Sequence, residues 1–413
     1  MNKSGYADLP LHNGRVPRWL AERMSKLGGA IVEALIIEYG KPEVIKRLSD
    51  PAWFQSLGCV LGMDWHSSGI TTSVMGALKS SINPRSKELG IFICGGRGKH
   101  SRKTPEELLN IAERTGMDGR SLVKSSRLTA KVDNTAIQDG FQIYLHSFVL
   151  SDEGEWAVIQ QGMNGGSGYA RRYHWHSQDL KDYINDPHTF IYGRSQGPIL
   201  NLTDSKAEKT RNGILEIAQE NPDKMIDEIK KIKLPAHHDV QSKDVDLKRL
   251  GAVLALSQDL PTHDFESLLL IQGLGPRTLQ SLTLVSEVIY GTPSRFRDPA
   301  RFSFAHGGKD GHPFPVPTTV YDESIAVLKN AVERAKIGYS DKTKAIKALH
   351  TASKRMEDNF EPSGNLNDVI EHERKESWKY GGRTVNGWAK PPSEKKLPNS
   401  TKQAVMKQMD LFQ

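Results

Sequence analysis

The stretch from Asp264 to Gly291 constrains the chain most, because it specifies two helices and the reversal between them. Asp264 offers a side-chain acceptor to the free N–H groups of a first helix, and Leu268, Leu269 and Ile271 give that helix an apolar face. Gly273-Leu274-Gly275 supplies permissive backbone for the reversal. Pro276 suits the first turn of the second helix, where its missing N–H removes nothing the helix uses. Leu279, Leu282, Val285, Val288 and Ile289 then recur at helical spacing, and Gly291 stands where a left-handed residue ends a helix.

A turn without side chains at Gly273 and Gly275 lets backbone N–H groups approach a phosphate, while the second helix turns its positive dipole end to the same anion. Arg277 adds a formal charge beside Thr278. Gly-Leu-Gly-Pro-Arg-Thr between two helices resembles the helix-hairpin-helix motif of DNA-binding proteins. That resemblance implies contacts to the sugar-phosphate backbone, which position a protein on DNA without reading sequence. The other reading is an αα-hairpin with a glycine turn, packed for structural reasons alone.

The 413 residues leave room for two or three domains with their own cores. A formal net charge of +7 agrees with a polyanionic partner. Cys59 and Cys94, the only cysteines, lie far apart without metal-type spacing, which excludes a disulfide framework and a cysteine zinc site. No apolar run approaches the roughly 20 residues that span a bilayer, and the amino terminus has no signal-peptide core, so the expectation is a cytoplasmic chain without a membrane partner.

Val16 to Tyr39 predicts a long amphipathic helix started by Pro17 and ended at Gly40, with shorter helices through Val44–Leu48 and Trp53–Leu57. From Gly58 the pattern predicts extended chain. Cys59 to Asp64 is a short apolar run ending on an acid, His66 to Gly69 is turn material, and Ile70 to Leu78 is rich in β-branched residues. This predicts a β-hairpin with Asp64 at its rim, and Gly90–Gly96 a third strand, followed by a basic loop and a helix entered at Thr104. An apolar strand delivering an Asp to a polar turn, then two more strands, resembles the opening of ribonuclease-H-like nucleases. The resemblance implies that Asp64 binds a catalytic divalent metal, with His66 beside it in the site; alternatively Asp64 only nucleates the turn. Asp133 and Asp139 are either the further carboxylates of an oxygen-ligand Mg²⁺ or Mn²⁺ site or two loop acids.

Phe141–Leu150 and Glu155–Met163 predict a strand pair, after which a glycine-rich turn delivers Arg171, Arg172, His174 and His176 among Tyr173 and Trp175. Arginines pair with phosphates and aromatic faces stack on unpaired bases, so the expectation is an exposed nucleic-acid grip. His174 and His176, on one side of a strand, are candidates for paired metal ligands or acid/base groups, or else ordinary histidines, and His188 is a third histidine nearby.

Ser205–Lys233 reads as a charged helical connector, and Leu234 to His238 as a break before the hairpin domain. After Gly291 comes a long loop in which Arg295, Arg297, Arg301 and Lys309 would extend a phosphate-binding surface. Asp298 stands near the place where helical DNA glycosylases keep a catalytic acid. A further helix covers Tyr321–Lys336, and a polar tail follows. The tail ends in Gln408-Met409-Asp410-Leu411-Phe412, similar to the peptide by which bacterial replication and repair proteins dock on the sliding clamp. That likeness implies a polar pocket for Gln408 and an apolar one for Leu411 and Phe412.

The combined motifs over roughly residues 5 to 340 resemble a widespread prokaryotic family catalogued as a domain of unknown function. The expected organisation is a mixed α/β catalytic domain over 1–233, a helical hairpin domain over 234–355 and a tail over 356–413. The expected function is DNA processing, foremost as a metal-dependent nuclease, with a glycosylase centred on Asp298 or a non-catalytic DNA-binding adaptor as alternatives.

Overall fold

The computed structural model describes residues 9, 16–63, 68–231, 247–259, 263–300, 305–307, 313–315, 318–358, 383–384 and 387–388. Pro17 precedes α1 (Arg18–Tyr39), and Gly40, at φ 85°, ends it in a conformation that favours glycine. α2 (Lys41–Ser49) and α3 (Pro51–Val60) follow, with Asp50 between them accepting from the Ala52 and Trp53 amides. α3 is buried along its whole length.

α4 (Gly69–Ile82) and the short α5 (Ser86–Leu89) overturn the β-hairpin expected over Cys59–Leu78. Its β-branched composition favours a strand, but Ile70, Val74, Leu78 and Ile82 recur every four residues and fill the core beside α1. Packing therefore outweighs propensity. The fit is close, since a Cβ on Gly28 would meet Leu78 at 2.9 Å and one on Gly29 would meet Ser81 at 2.9 Å. Of the three segments that carry the ribonuclease-H resemblance, the first begins inside α3 and the second lies in α4, so only the third is a strand; Asp64 and His66 lie outside the described residues.

β1 (Ile91–Arg97) is the expected third strand and the first of the sheet. α6 (Thr104–Thr115) and α7 (Gly119–Lys131) come next; Asp118 caps α7, which runs into a π-helical turn at Val132–Ala136. β2 (Gln142–Ser151), β3 (Trp156–Asn164), β4 (Tyr169–His176) and β5 (Phe190–Tyr192) complete a five-stranded sheet, antiparallel throughout and in sequence order. The chain is therefore mixed α/β, with a meander at its centre.

Both faces of the sheet are covered. Phe148, Val158 and Trp175 face a core shared with α6, α7, α8 (Glu208–Gln219), α10 (Leu247–Asp259), α11 (Phe265–Leu270) and α12 (Pro276–Tyr290); α9 (Pro222–Lys231) contributes Met225. Val149, Ala157 and Ile159 face the core of α1 to α4. After the short strands β6 (Ala305–Gly307) and β7 (Pro313–Pro315), the helices α13 (Thr318–Arg334) and α14 (Tyr339–Asp358) add Leu328, Val332 and Leu349 to that second core. Residues on both sides of position 234 therefore share each core, within one compact unit, Met1–Glu361. The second unit, Pro362–Gln413, holds the strand pair β8 (Arg383–Thr384) and β9 (Gly387–Trp388); Gln408, Leu411 and Phe412 lie outside the described residues. Among the described residues no helix is long and apolar enough to cross a membrane.

The crossing of β1 and β2 near Gly95 is the tightest backbone approach in the sheet to demand a glycine. Its φ is 80°, and a Cβ there would lie 2.2 Å from the His146 carbonyl oxygen. Gly95→Ala is expected to lower stability by more than about 2 kcal/mol, whereas Gly98→Ala, with φ 60° and open space, costs about 1 kcal/mol for its backbone alone. Urea denaturation of both variants checks this, and equal losses would refute the steric argument.

Candidate nucleic-acid interface and the polar interior behind it

The hairpin forms as its local chemistry dictates. Asp264 accepts from the Ser267 amide at 2.7 Å and Ser267 Oγ accepts from the Asp264 amide at 3.2 Å, a reciprocal cap on α11. Gly273 has φ 90°, and Gly275 precedes α12. Ile271 and Leu274 are buried, which pins the turn to the core, while Gln272, Gly273, Pro276 and Arg277 are exposed. Two carbonyls of the hairpin are held by side chains: Lys131 Nζ donates to Leu274 O at 2.6 Å, and Gln138 Nε2 to Pro276 O at 2.9 Å. The start of α12 has no capping side chain and no acidic residue in its first turn. The positive end of a 15-residue helix thus stands beside an exposed arginine. Thr278 differs from expectation, because its side chain is buried.

Of the cations expected to extend this surface, Arg297 is exposed and Arg295 is half-buried, its Nε donating to Lys206 O at 3.4 Å. Arg301 and Lys309 lie outside the described residues. Asp298 accepts from Arg171 Nη2 at 2.7 Å, from the Gln196 amide at 2.6 Å and from the Ala300 amide at 2.8 Å. These bonds make it a bridging group between β4 and the segment after the hairpin.

The exposed grip expected at Arg171, Arg172, His174 and His176 is corrected: all four are buried in β4. Arg171 donates Nη1 to Asp139 at 2.7 Å and Nη2 to Asp298 and to Arg194 O, both at 2.7 Å, with its guanidinium 4.7 Å from the Phe141 ring centre. Tyr173 adds a hydroxyl bond to Asp139 at 2.6 Å. On the other face Arg172 has no carboxylate partner among the described residues. It donates Nε to His174 Nε2 at 2.8 Å and Nη1 to Gln55 Oε1 at 3.1 Å, between the rings of Phe54 and Tyr192 at 4.7 and 5.0 Å. Burial pulls the Arg172 guanidinium down to about 10, and burial, aided by the Arg172 charge, holds His174 well below the ordinary histidine range. Accepting from Arg172 requires a neutral His174 ring. His176 pairs through Nδ1 with Asp179 at 3.0 Å. Polar residues between paired strands are buried here because their partners arrive from distant segments.

Asp133, in the π-helical turn, accepts from Gln160 Nε2 at 2.5 Å and Trp175 Nε1 at 3.0 Å through one oxygen, and bonds His188 Nε2 through the other. The network continues from Gln160 Oε1 to His146 Nδ1 at 2.9 Å, and from His146 Nε2 to Ser126 Oγ at 2.9 Å. Burial pushes the Asp133 carboxyl up, opposed by His188; burial also raises Asp139, opposed by Arg171. Every carboxylate oxygen of Asp133 and Asp139 already accepts from a protein donor, Asp139 Oδ1 from the Phe141 amide at 3.0 Å. Among the described residues no three His, Cys, Asp or Glu side chains gather as metal ligands. The two acids therefore do not fit the Mg²⁺ or Mn²⁺ site expected of them. His146, Gln160 and His188 carry no motif and are not legible as a group, because the register of β2 and β3 pairs the first two and His188 joins them through Asp133 from the segment before β5. Both cysteines are free and buried, and burial pushes the Cys94 thiol up to about 12.

Burial holds His146 at about 4 against 6.5 when unfolded, so the unfolded chain binds the extra proton between those values. Its contribution to stability is complete above pH 6.5 and is lost as pH falls toward 4. From pH 7 to 5 this group alone is expected to remove about 2 kcal/mol. Denaturant titrations at both pH values check it. His146→Gln should shrink the difference, and an undiminished difference in that variant would remove His146 as the cause.

No curated protein and no solved structure matches the chain. A family model described as a protein of unknown function, DUF763, matches residues 5–316. With three quarters of its length matched, strands, hairpin and buried β4 network included, the chain belongs to that family of proteins of unknown function.

Proposed function

We propose that this protein binds DNA through the sugar-phosphate backbone, with the hairpin of residues 271–277 as the contact. The observation that carries the reading is the uncapped, acid-free start of α12, presented beside exposed Gly273 and Arg277 on a turn whose apolar residues are anchored in the core. Amides of a helix start and one arginine suit a phosphate, and none of them distinguishes bases. The proposal is for binding; it assigns no cleavage step to Asp133 and Asp139, whose carboxylates are filled by protein donors, or to Asp298, which bridges β4 to the segment after the hairpin, and the expected nuclease acid Asp64 lies outside the described residues. The carboxy-terminal Gln408, Leu411 and Phe412 fit the same reading, as a tethered peptide that would recruit the protein to a sliding clamp and so raise its concentration at DNA.

Arg277→Ala should weaken binding to all duplex sequences alike and reduce the slope of log affinity against log salt by about 0.9, the share of one phosphate that the arginine no longer neutralises. Fluorescence anisotropy with two unrelated duplexes over a salt series reads both quantities. A weakening confined to one sequence, or a slope unchanged by the substitution, counts against backbone binding at the hairpin.

A further inference from the structure

At the end of β1 the chain makes a second basic feature, remote in sequence from the hairpin. Residues 97–103 run Arg-Gly-Lys-His-Ser-Arg-Lys, and Arg97, Lys99, Arg102 and Lys103 are all exposed. None of the four forms an ion pair among the described residues. Glu107, an acid close by in sequence, is turned inward, where it takes Lys79 Nζ at 2.8 Å and the Gly95 amide at 2.7 Å. Glu106 is the one exposed acid in the first turn of the following helix.

The segment is built rather than loose. Gly95, Gly96 and Gly98 have φ of 80°, 132° and 60°, a backbone path that other residues rarely take. Arg97 still pairs with Leu145 across the sheet edge, Ser101 Oγ donates to Gly98 O at 2.6 Å, and Thr104 Oγ1 donates to Ser101 O at 2.8 Å. Residues 98–103 form a 3-10 helix, whose three-residue turn places Lys99 over Arg102 and rises about 6 Å between them. Like charges held this close on a fixed backbone repel one another, which gives folding nothing and favours a multivalent anion.

We propose that this basic 3-10 segment is a second binding site for the phosphate backbone of nucleic acid. The inference rests on the reading of the protein as DNA-binding. The backbone that carries these cations is already fixed by its own hydrogen bonds, so ordering on binding is confined to the side chains. The site suits phosphate rather than bases, because the segment holds no Phe, Tyr or Trp and the Tyr144 ring lies under Arg97 at 5.8 Å.

The test compares the full chain, Arg277→Ala, and a variant carrying Arg97→Gln, Lys99→Gln, Arg102→Gln and Lys103→Gln, each titrated with the same duplex over a salt series. The four-site variant should keep the melting temperature, since the side chains are exposed. Its log–log salt slope should fall by about 1.8 to 3.6, for two to four phosphates released. DNA should also protect Lys99 and Lys103 of the unaltered chain from an amine-reactive label. An unchanged slope with unprotected lysines overturns this site while leaving the hairpin reading intact, provided Arg277→Ala still lowers the slope. A reduced slope in the four-site variant alone supports this site and overturns the hairpin. No salt-dependent affinity in the unaltered chain overturns both.

Discussion

The ion cluster around Arg171 ties the molecule together. A single guanidinium on β4, wholly buried, bonds Asp139 from the turn before β2 and Asp298 from the segment after the hairpin. Burying one cation between two carboxylates is costly unless the remaining valences are met; Tyr173 and the Phe141, Gln196 and Ala300 amides meet those of the carboxylates, while Arg171 Nε has no hydrogen-bond partner among the described residues. The cluster therefore does for geometry what apolar packing cannot do: it fixes which loop sits against which strand. Breaking one side of such a buried pair typically costs about 3–5 kcal/mol. The exit of the chain from α12 is consequently held to the sheet by charge, while the hairpin itself is held by Lys131 at the end of α7 and by Gln138 just after the π-helical turn.

What can be read from the sequence follows from how local each determinant is. The hairpin is legible because its cap, its two glycines and its proline all lie within 13 residues of one another, counted from Asp264 to Pro276. β2 and β3 are legible for the same reason, through their tight turn. α4 is not, since its β-branched residues advertise a strand and only the surface of α1, with Gly28 and Gly29 as its notch, makes the helical register the better one. The polar strand β4 misleads for a more general reason. A buried arginine looks like an exposed one until its partner is known, and one partner of Arg171 is 127 residues away.

The same distinction bears on the candidate acids. Asp133 and Asp139 belong to the kind of residue that holds magnesium, and their spacing permits it. The sheet places His188, Trp175 and Gln160 around the first, and Arg171 and Tyr173 around the second. A carboxylate whose lone pairs are already taken by protein donors would have to release them to bind an ion, and in a fully buried site nothing replaces the donors it gives up. These networks serve the architecture of the central sheet, and they explain why aromatic, amide and imidazole groups concentrate in its middle strands.

A formal charge of +7 is also divided by the fold into two populations with different consequences. Arg171 is neutralised by its carboxylates, and Arg172 is enclosed by Gln55, Thr71, His174 and two aromatic rings, so neither guanidinium is within reach of a solvated polyanion. Arg277 and the cations of residues 97–103 are exposed, and their potential reaches solvent within the screening length of about 8 Å at physiological salt. A count of basic residues therefore overstates the number available to phosphate. The cations that the proposed phosphate contact could use are those the fold leaves exposed on ordered backbone, and both exposed groups sit beside glycines that open the main chain to the same anion.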